Sequence, residues 1–246
     1  MVEQVLSSEQ AQPRSVEELK QELLRLTQDR DTDPFSQKVQ FLKDKLEPIF
    51  QELSKQNPFP APQDQVPLVL GAWVPVWSTI PFQDIIPGRL RNQSYQIFHD
   101  NGYYVNVARY TPGQKLPFLN KLRSFLFAYD FMILQKYQVS QGHWFIQNVA
   151  IKQALRFGGV PLTLEKAEEW FTQTVQSQAG LTSQAEDFVD IPDFQSLDRS
   201  TAKRFEKIFK ATPQFEHLYI DRNFRLVKSQ REAKQRPSYT IAVRLR

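Results

Sequence analysis

The sequence predicts a mainly β fold: a closed antiparallel sheet that carries an N-terminal helical segment and peripheral helices. Two observations predict it. Apolar residues recur with a helical period up to about residue 57 and with a strand-like period after the proline-rich stretch that follows. Asn101-Gly102, a pair typical of a tight hairpin turn, separates two apolar runs within residues 95–110. With 41% hydrophobic residues among 246, the chain can bury one substantial core.

The segment before the sheet is predicted to be helical over residues 15–57, after a polar stretch, 1–14, that we expect to be disordered. Ser15-Val16-Glu17-Glu18 has the spacing of a capping box. A second helix should begin at Asp33-Pro34 and be kinked at Pro48. These helices either coat the barrel or form a hairpin that binds a protein partner.

Residues 57–67, NPFPAPQDQVP, are too rich in proline for a regular helix or a central strand. We therefore expect an irregular linker there. It places the boundary between the helical segment and the barrel, residues 58–246, close to residue 57.

The remaining elements alternate strands with a few helices. In the hairpin around Asn101-Gly102, a two-residue turn would pair Phe98 with Val105 and Ile97 with Asn106. Further strands are expected at 72–79, 125–139, 143–157 and in three pieces after residue 214, with helices at 116–123, 164–178 and 198–210.

The sequence contains no recognisable motif of a catalytic site. It has no cysteine, and its three histidines, His99, His143 and His217, lack the spacing of a zinc site. Motifs for nucleophilic catalysis, phosphate binding and dinucleotide binding are absent. Asp130, inside an apolar strand, is a candidate buried acid, although such residues more often mark a strand irregularity. We therefore expect a protein that is not an enzyme and needs no metal or cofactor.

The positive charge is concentrated near the C-terminus. Residues 219–246 hold eight Lys or Arg against two acidic residues, whereas the whole chain has a net charge of +4. Such a patch attracts anionic lipid headgroups or nucleic acid, or it is simply a solvated loop. Because no nucleic-acid recognition motif accompanies it, we expect a membrane surface rather than nucleic acid. The patch comprises Arg222, Lys228, Arg231, Lys234 and Arg236.

Aromatic side chains on predicted strands either fill the core or line an apolar pocket. Our candidates for ligand contacts are Trp77, Tyr104, Phe127, Tyr129 and Trp144. No apolar run approaches the ~18 residues that span a bilayer, and no signal peptide is evident, so we expect a soluble or peripheral protein.

Three blocks of the sequence resemble the plastid lipid-associated protein (fibrillin) family. They are VEELKQELLRLTQDRD ending in LSKQNPFPAPQ, then LVLGAWVPVWST, and finally LYIDRNFRLVKS. Their order and spacing cover roughly residues 15–246. The chain departs from the family's pattern after Arg225, where Lys228 and Ser229 replace a second basic residue and a glycine.

The resemblance implies a lipocalin-like barrel at the cytoplasmic face of cyanobacterial thylakoids or in a plastid. It implies binding of carotenoids, quinones or acyl lipids in photoprotection and lipid homeostasis, without a catalytic act. In such barrels a Trp of the first strand can lie under an Arg of the last strand. Trp73 and Arg225 are our candidates for this closure, with Asp221 orienting the guanidinium.

Two other functions remain open. A chromophore-lyase-like enzyme or chaperone on the same barrel would need an acid and an arginine facing the cavity, for which Asp130 and Arg109 are candidates. A scaffold would bind a protein partner through the N-terminal helices and would need no cavity.

Overall fold

The structure is a computed structural model that describes residues 14–80, 89–111, 127–181, 214–230 and 235–245, with backbone alone at Arg91 and 178–181. The predictions for residues 1–13, 116–123 and 198–210 lie outside these ranges. The strands are β1 (Gly71–Ser78), β2 (Arg89–Phe98), β3 (Tyr103–Tyr110), β4 (Ala128–Ser140), β5 (His143–Arg156), β6 (Gln214–Ile220), β7 (Phe224–Gln230) and β8 (Ser238–Arg244).

Among the described residues, each of the eight strands pairs antiparallel with the next, and β1 also pairs with β8. The hydrogen-bonded pairing therefore forms a closed ring, as predicted. The seam between β5 and β6 is the narrowest, with only Trp144↔Phe215 and Phe145↔Gln214 in register.

Contacts across the ring identify its interior. Arg225 on β7 contacts Gln96 and Phe98 on β2, although β8 and β1 lie between these strands. Such a contact is possible only through the interior. Because side chains alternate along a strand and paired residues share a side, the register then assigns every other position to the inside.

The β2–β3 hairpin is correct in place but wrong in register. Phe98 pairs with Tyr104 and Ile97 with Val105, one residue away from the expected partners. The turn has three residues instead of two, because Gly102 adopts a left-handed conformation (φ +81°) and the His99 amide donates to the Tyr103 carbonyl at 3.0 Å. Phe98 and Tyr104 therefore both point inward.

A bulge in β1 separates its two tryptophans. Trp73 pairs with Arg244 and Trp77 with Ile241, and the register shifts between Pro75 and Trp77. The extra residue turns Trp77 to the outer side of the ring, whereas Trp73 points inward. Proline favours such an irregularity because it has no amide hydrogen to donate to the ladder.

The N-terminal helices cover one outer side of the ring. They are α1 (Val16–Thr27), a 3-10 turn (Arg30–Thr32), α2 (Phe35–Phe41), a π-helical turn (Leu42–Leu46) and α3 (Glu47–Ser54). The predicted capping box is present, since the Glu18 amide donates to the Ser15 hydroxyl at 3.3 Å and the Glu18 carboxylate accepts from the Ser15 amide at 2.8 Å.

The apolar stripe of these helices packs against outward side chains of β1, β6, β7 and β8. Leu23 and Phe50 share one buried cluster with Trp77 and Leu226. The π-helical turn ends just before Pro48, which cannot donate to the carbonyl four residues earlier and displaces the preceding turn.

The prediction of an irregular linker over 57–67 is wrong in part, because α4 spans Pro62–Val69. Pro62 lies in the first turn, where no amide hydrogen is needed, and Pro67 removes only one intrahelical bond from this short helix. Val69 of α4 packs onto Trp73, so the helix closes one end of the ring.

The last helix, α5 (Leu164–Leu181), covers the outer side opposite the N-terminal helices. Its buried residues Ala167 and Phe171 pack against Ile97, Val105 and Met132, which point outward from β2, β3 and β4.

Buried Asp31 joins the 3-10 turn to the ring. Its carboxylate accepts from the Ser78 amide at 2.8 Å, from Lys38 Nζ at 3.3 Å and from Arg89 Nη2 at 2.6 Å. Both cations are themselves almost fully buried. The carboxylate therefore neutralises buried positive charge where helix and sheet meet.

We expect Asp31→Ala to destabilise the protein by about 3–5 kcal/mol, because it leaves two buried cations without this carboxylate. Urea unfolding measures the change. The control is Asp33→Ala, whose ion pair with Arg30 is largely exposed and should contribute about 0–1 kcal/mol. Equal effects of the two substitutions would show that Asp31 does not anchor the helices.

Candidate functional site inside the closed sheet

The α4 end of the interior is closed by aromatic rings and a buried guanidinium. Trp73 Nε1 donates to the Val69 carbonyl at 2.7 Å, which ties β1 to α4. The Arg225 guanidinium lies 5.0 Å from the centre of the Trp73 ring and 4.7 Å from that of Phe98. The structure thus brings together the Trp73–Arg225 pair expected from the sequence.

A second arginine, which the sequence analysis missed, completes this end. The Arg244 guanidinium lies 4.2 Å from the Trp73 ring centre. It donates to the Leu70 carbonyl at 2.7 Å and also to the Leu68 carbonyl. It therefore binds carbonyls at the C-terminus of α4, where backbone acceptors lack helical partners. No motif around Arg244 indicates this role.

Asp221 does not orient Arg225 as expected. It follows β6 in the β6–β7 turn, where its carboxylate accepts from Lys20 Nζ at 3.0 Å and from the Asn223 amide at 2.7 Å. Burial opposes its charge, but the amide of Asn223 and the Lys20 ammonium together hold the pKa of Asp221 below its ordinary value. Its contacts therefore connect the turn to α1.

Arg225 begins a chain of amides that crosses four inward strand positions. Its Nη2 donates to Gln96 Oε1. Gln96 then donates to Asn106 at 2.8 Å, Asn106 to Gln135 at 2.7 Å and Gln135 to Asn148 at 2.6 Å. We call these five residues the polar layer. Gln96 is paired with Asn106 and Gln135 with Asn148, whereas Asn106 and Gln135 are diagonal neighbours on β3 and β4, so the amides form one slanted level of the interior.

The guanidinium fixes the donor-to-acceptor direction of every hydrogen bond in the polar layer. Arginine has donors only, so Gln96 must present its oxygen to Arg225 and its nitrogen to Asn106. Each later amide is then oriented by the one before it. Burial lowers the pKa of Arg225 to about 9, which still leaves the guanidinium charged at pH 7.

Gln65 of α4 binds two inward side chains near this end. Its Oε1 accepts from Trp144 Nε1 at 2.8 Å and lies 3.0 Å from His217 Nδ1, while its Nε2 donates to the Phe59 carbonyl at 2.8 Å. An oxygen can only accept, so His217 Nδ1 carries the proton. The other ring nitrogen, Nε2, is then a buried acceptor without a hydrogen-bond partner.

His217 remains uncharged at neutral pH. Burial, together with the nearby positive charge of Arg225, holds its pKa well below the ordinary value. The interior thus presents a neutral acceptor, His217 Nε2, and a cationic donor, Arg225 Nε, neither of which has a hydrogen-bond partner.

Beyond the polar layer, away from α4, Tyr110 faces inward at the end of β3. Nearer the polar layer, one inward position on each of five consecutive strands carries a short side chain. These residues are Val227 on β7, Thr240 on β8, Ser78 on β1, Ser94 on β2 and Ala108 on β3. Ala108 and Val227 remain partly accessible although they face the interior from the middle of their strands. We call this half of the interior the short-chain half.

The predicted ligand residues divide between inside and outside. Tyr104 and Trp144 are buried inside, and burial raises the pKa of Tyr104 to about 12. Tyr129 faces inward at the end of β4 opposite Tyr110. Trp77 does not face the interior, because the β1 bulge turns it toward the N-terminal helices. Phe127 precedes β4 and is 50% exposed, so it does not line the interior.

The described residues of the predicted basic patch do not lie together. Arg222 lies in the β6–β7 turn, whereas Arg236 precedes β8 at the opposite end of the ring. A seven-residue strand separates these ends by roughly 20 Å. Lys228 is paired with Glu216 at 3.5 Å. Arg231 and Lys234 lie outside the described residues.

Asp130 and Arg109, the candidate acid and cavity arginine, bind each other on the outer side of the ring. Arg109 Nε donates to Asp130 Oδ1 at 2.6 Å and Nη2 to Oδ2 at 2.8 Å. Their pairing places them on the same side as outward Val107 and Met132. The prediction that they face the cavity is therefore wrong.

A separate groove of about 520 Å³ lies between α1 and β1, with Leu24, Arg25 and Val74 among its lining residues. It combines apolar and polar side chains. Within the described part of the chain, no helix has the length and apolar character needed to cross a bilayer.

A comparison with models of known protein families found no match, and neither did a comparison with curated protein sequences. The function of the chain must therefore be argued from the site itself.

We expect His217 to make stability sensitive to acid. Its pKa is depressed in the folded protein, so below about pH 6.5 only the unfolded chain binds this proton. That component of stability is complete above pH 6.5 and is lost as the pH falls, by about 1.4 kcal/mol per pH unit. Urea unfolding at pH 7.5 and 5.5 should therefore show a smaller acid loss in His217→Gln than in the wild type.

The control is His143→Gln at an exposed position, which should retain the wild-type pH dependence. Identical acid losses in His217→Gln and the wild type would contradict a buried neutral imidazole.

Proposed function

We propose that this chain is a non-enzymatic, fibrillin-like protein with a lipocalin-like barrel, which shelters an apolar ligand such as a carotenoid, quinone or acyl lipid at a photosynthetic membrane. The observation that carries the proposal is the short-chain half of the interior. Five consecutive strands each place a Ser, Ala, Val or Thr at an inward position there, and the inward ring of Tyr110 lies farther along β3, whereas the α4 end is filled by large aromatic rings.

In an eight-stranded ring, the size of the inward side chains determines whether a ligand fits inside. The interior of such a ring is just wide enough either to be filled by side chains or to hold one small ligand. Across from the short side chains, Phe131, Ile133 and Ile151 supply an apolar wall. An apolar guest in this half would contact aliphatic and aromatic carbon on one side and small side chains on the other.

Exposed apolar side chains at the end opposite α4 support contact with a membrane. Phe127 precedes β4, Leu155 lies one residue before the end of β5 and Phe157 follows the strand, and each is at least half exposed. Arg156 lies among them and is also exposed. An apolar cluster beside a cation suits the interface of an anionic bilayer. In this proposal the ligand enters from the end that faces the lipid.

We expect Ala108→Phe to fill the short-chain half. If the space is available to a ligand, the new ring should fit at a cost below about 1 kcal/mol and should weaken uptake of a fluorescent polyene at least tenfold. The measurements are urea unfolding and fluorescence titration with the same protein preparations.

Gln138→Phe, which places the same ring at an exposed outward position, is the control and should change neither quantity. A loss of about 1–3 kcal/mol in Ala108→Phe would indicate an interior already filled, and unchanged polyene binding would contradict a ligand in this half.

We expect the double substitution Leu155→Ser with Phe157→Ser to weaken binding to vesicles of phosphatidylcholine and phosphatidylglycerol at least tenfold. Each side chain would lose about 1.5–3 kcal/mol of apolar burial. Vesicle co-sedimentation measures the change. Gln147→Ser, an exposed change near the other end of β5, is the control. Undiminished co-sedimentation of the double variant would exclude this surface as the membrane contact.

A further inference from the structure

Arg225 is a buried cation without a buried anion. Its side chain is only 3% exposed. Among the residues that the structure describes, no carboxylate forms an ion pair with it, and the other charged group that acts on it strongly is a second cation, Arg244. A buried charge is normally paired, because removing it from water costs several kcal/mol. The interior therefore has an excess of positive charge at the α4 end.

The donors of this guanidinium are only partly used. Nη2 donates to Gln96, and the planar faces are covered by Trp73 and Phe98. Nε has no hydrogen-bond partner although it is fully buried. What remains available is one edge of the guanidinium, which is the part that binds oxygen anions.

The neighbouring interior positions suit a polar head with an attached chain. On β7 and β8 the next inward residues from the polar layer are Val227 and Thr240, and on β3 the next is Ala108. These short side chains lead away from Arg225 along the axis of the ring.

We propose that Arg225 binds the carboxylate of a single-chain amphiphile, such as a fatty acid, whose tail extends from the polar layer into the short-chain half. The inference rests on the proposed function and names the chemical class of the ligand. A carboxylate supplies the missing negative charge, whereas an alcohol of the same length supplies a hydroxyl that can donate and accept hydrogen bonds but carries no charge. The site therefore distinguishes an acid from an alcohol.

The test compares hexadecanoic acid with hexadecan-1-ol by isothermal titration calorimetry. Wild-type protein should bind the acid about ten- to a hundredfold more tightly, as expected for a charge-assisted hydrogen bond in place of a neutral one. Arg225→Met should bring the two affinities close together. Arg225→Lys should retain most of the preference, because it keeps the charge. Lys43→Met, which removes an exposed cation on the π-helical turn, should leave both affinities unchanged.

The wild type alone also tests the proposal if Arg225→Met does not fold. Carbon-13 NMR of hexadecanoic acid labelled at its carboxyl group should show that the bound acid stays ionised to a lower pH than the free acid. Equal affinities for acid and alcohol, or an ordinary carboxyl titration, would overturn the role of Arg225 and leave the apolar carrier intact. Failure of the wild type to bind either compound, or the fluorescent polyene, would overturn both proposals.

Discussion

The organisation of the interior depends on one guanidinium that can only donate hydrogen bonds. Arg225 stacks on the rings of Trp73 and Phe98, and its Nη2 donates to Gln96. Because it accepts nothing, it fixes the orientation of the amide chain that runs to Asn148. Burial, together with the charge of Arg225, keeps the neighbouring imidazole of His217 neutral. A single side chain on β7 thus determines how the amide groups on four other strands are oriented.

The polar layer divides the interior into two halves with different composition. Toward α4, Trp73 and Trp144 fill the space and donate to groups of that helix. On the other side, short side chains line five strands. A buried polar layer costs stability unless its groups are paired, so the unpaired donor Nε of Arg225 is the atom at which a carboxylate head group would stabilise the interior most.

The periodicity of the sequence predicted the positions of helices and strands better than it predicted which side chains face the interior of the ring. The N-terminal helices and the hairpins follow from local patterns, such as the capping box at Ser15. The closure by Trp73 and Arg225 was instead expected from the family resemblance. Which side chains of β1 face the interior could not be predicted from local patterns. The bulge after Pro75 adds one residue and so reverses the side to which every later side chain points. The same reasoning explains the β2–β3 hairpin, where Gly102 extends the turn by one residue.

The polar layer and Arg244 could not be predicted, because their partners are distant in sequence. Gln96, Asn106, Gln135 and Asn148 carry no local pattern, and only the register of four strands brings their amides together. The prediction that Asp130 and Arg109 face the cavity failed for a related reason. Their attraction is real, but the pairing of β3 with β4 places it on the outer side of the ring.

Native mass spectrometry of the protein purified from its own host tests the central claim, a guest held within the ring, most directly. The account predicts a population whose mass exceeds that of the chain by one lipid or pigment molecule and which loses that mass when the gas-phase complex is activated. The mass of the chain alone, both as purified and after incubation with fatty acid, carotenoid and quinone, would contradict it.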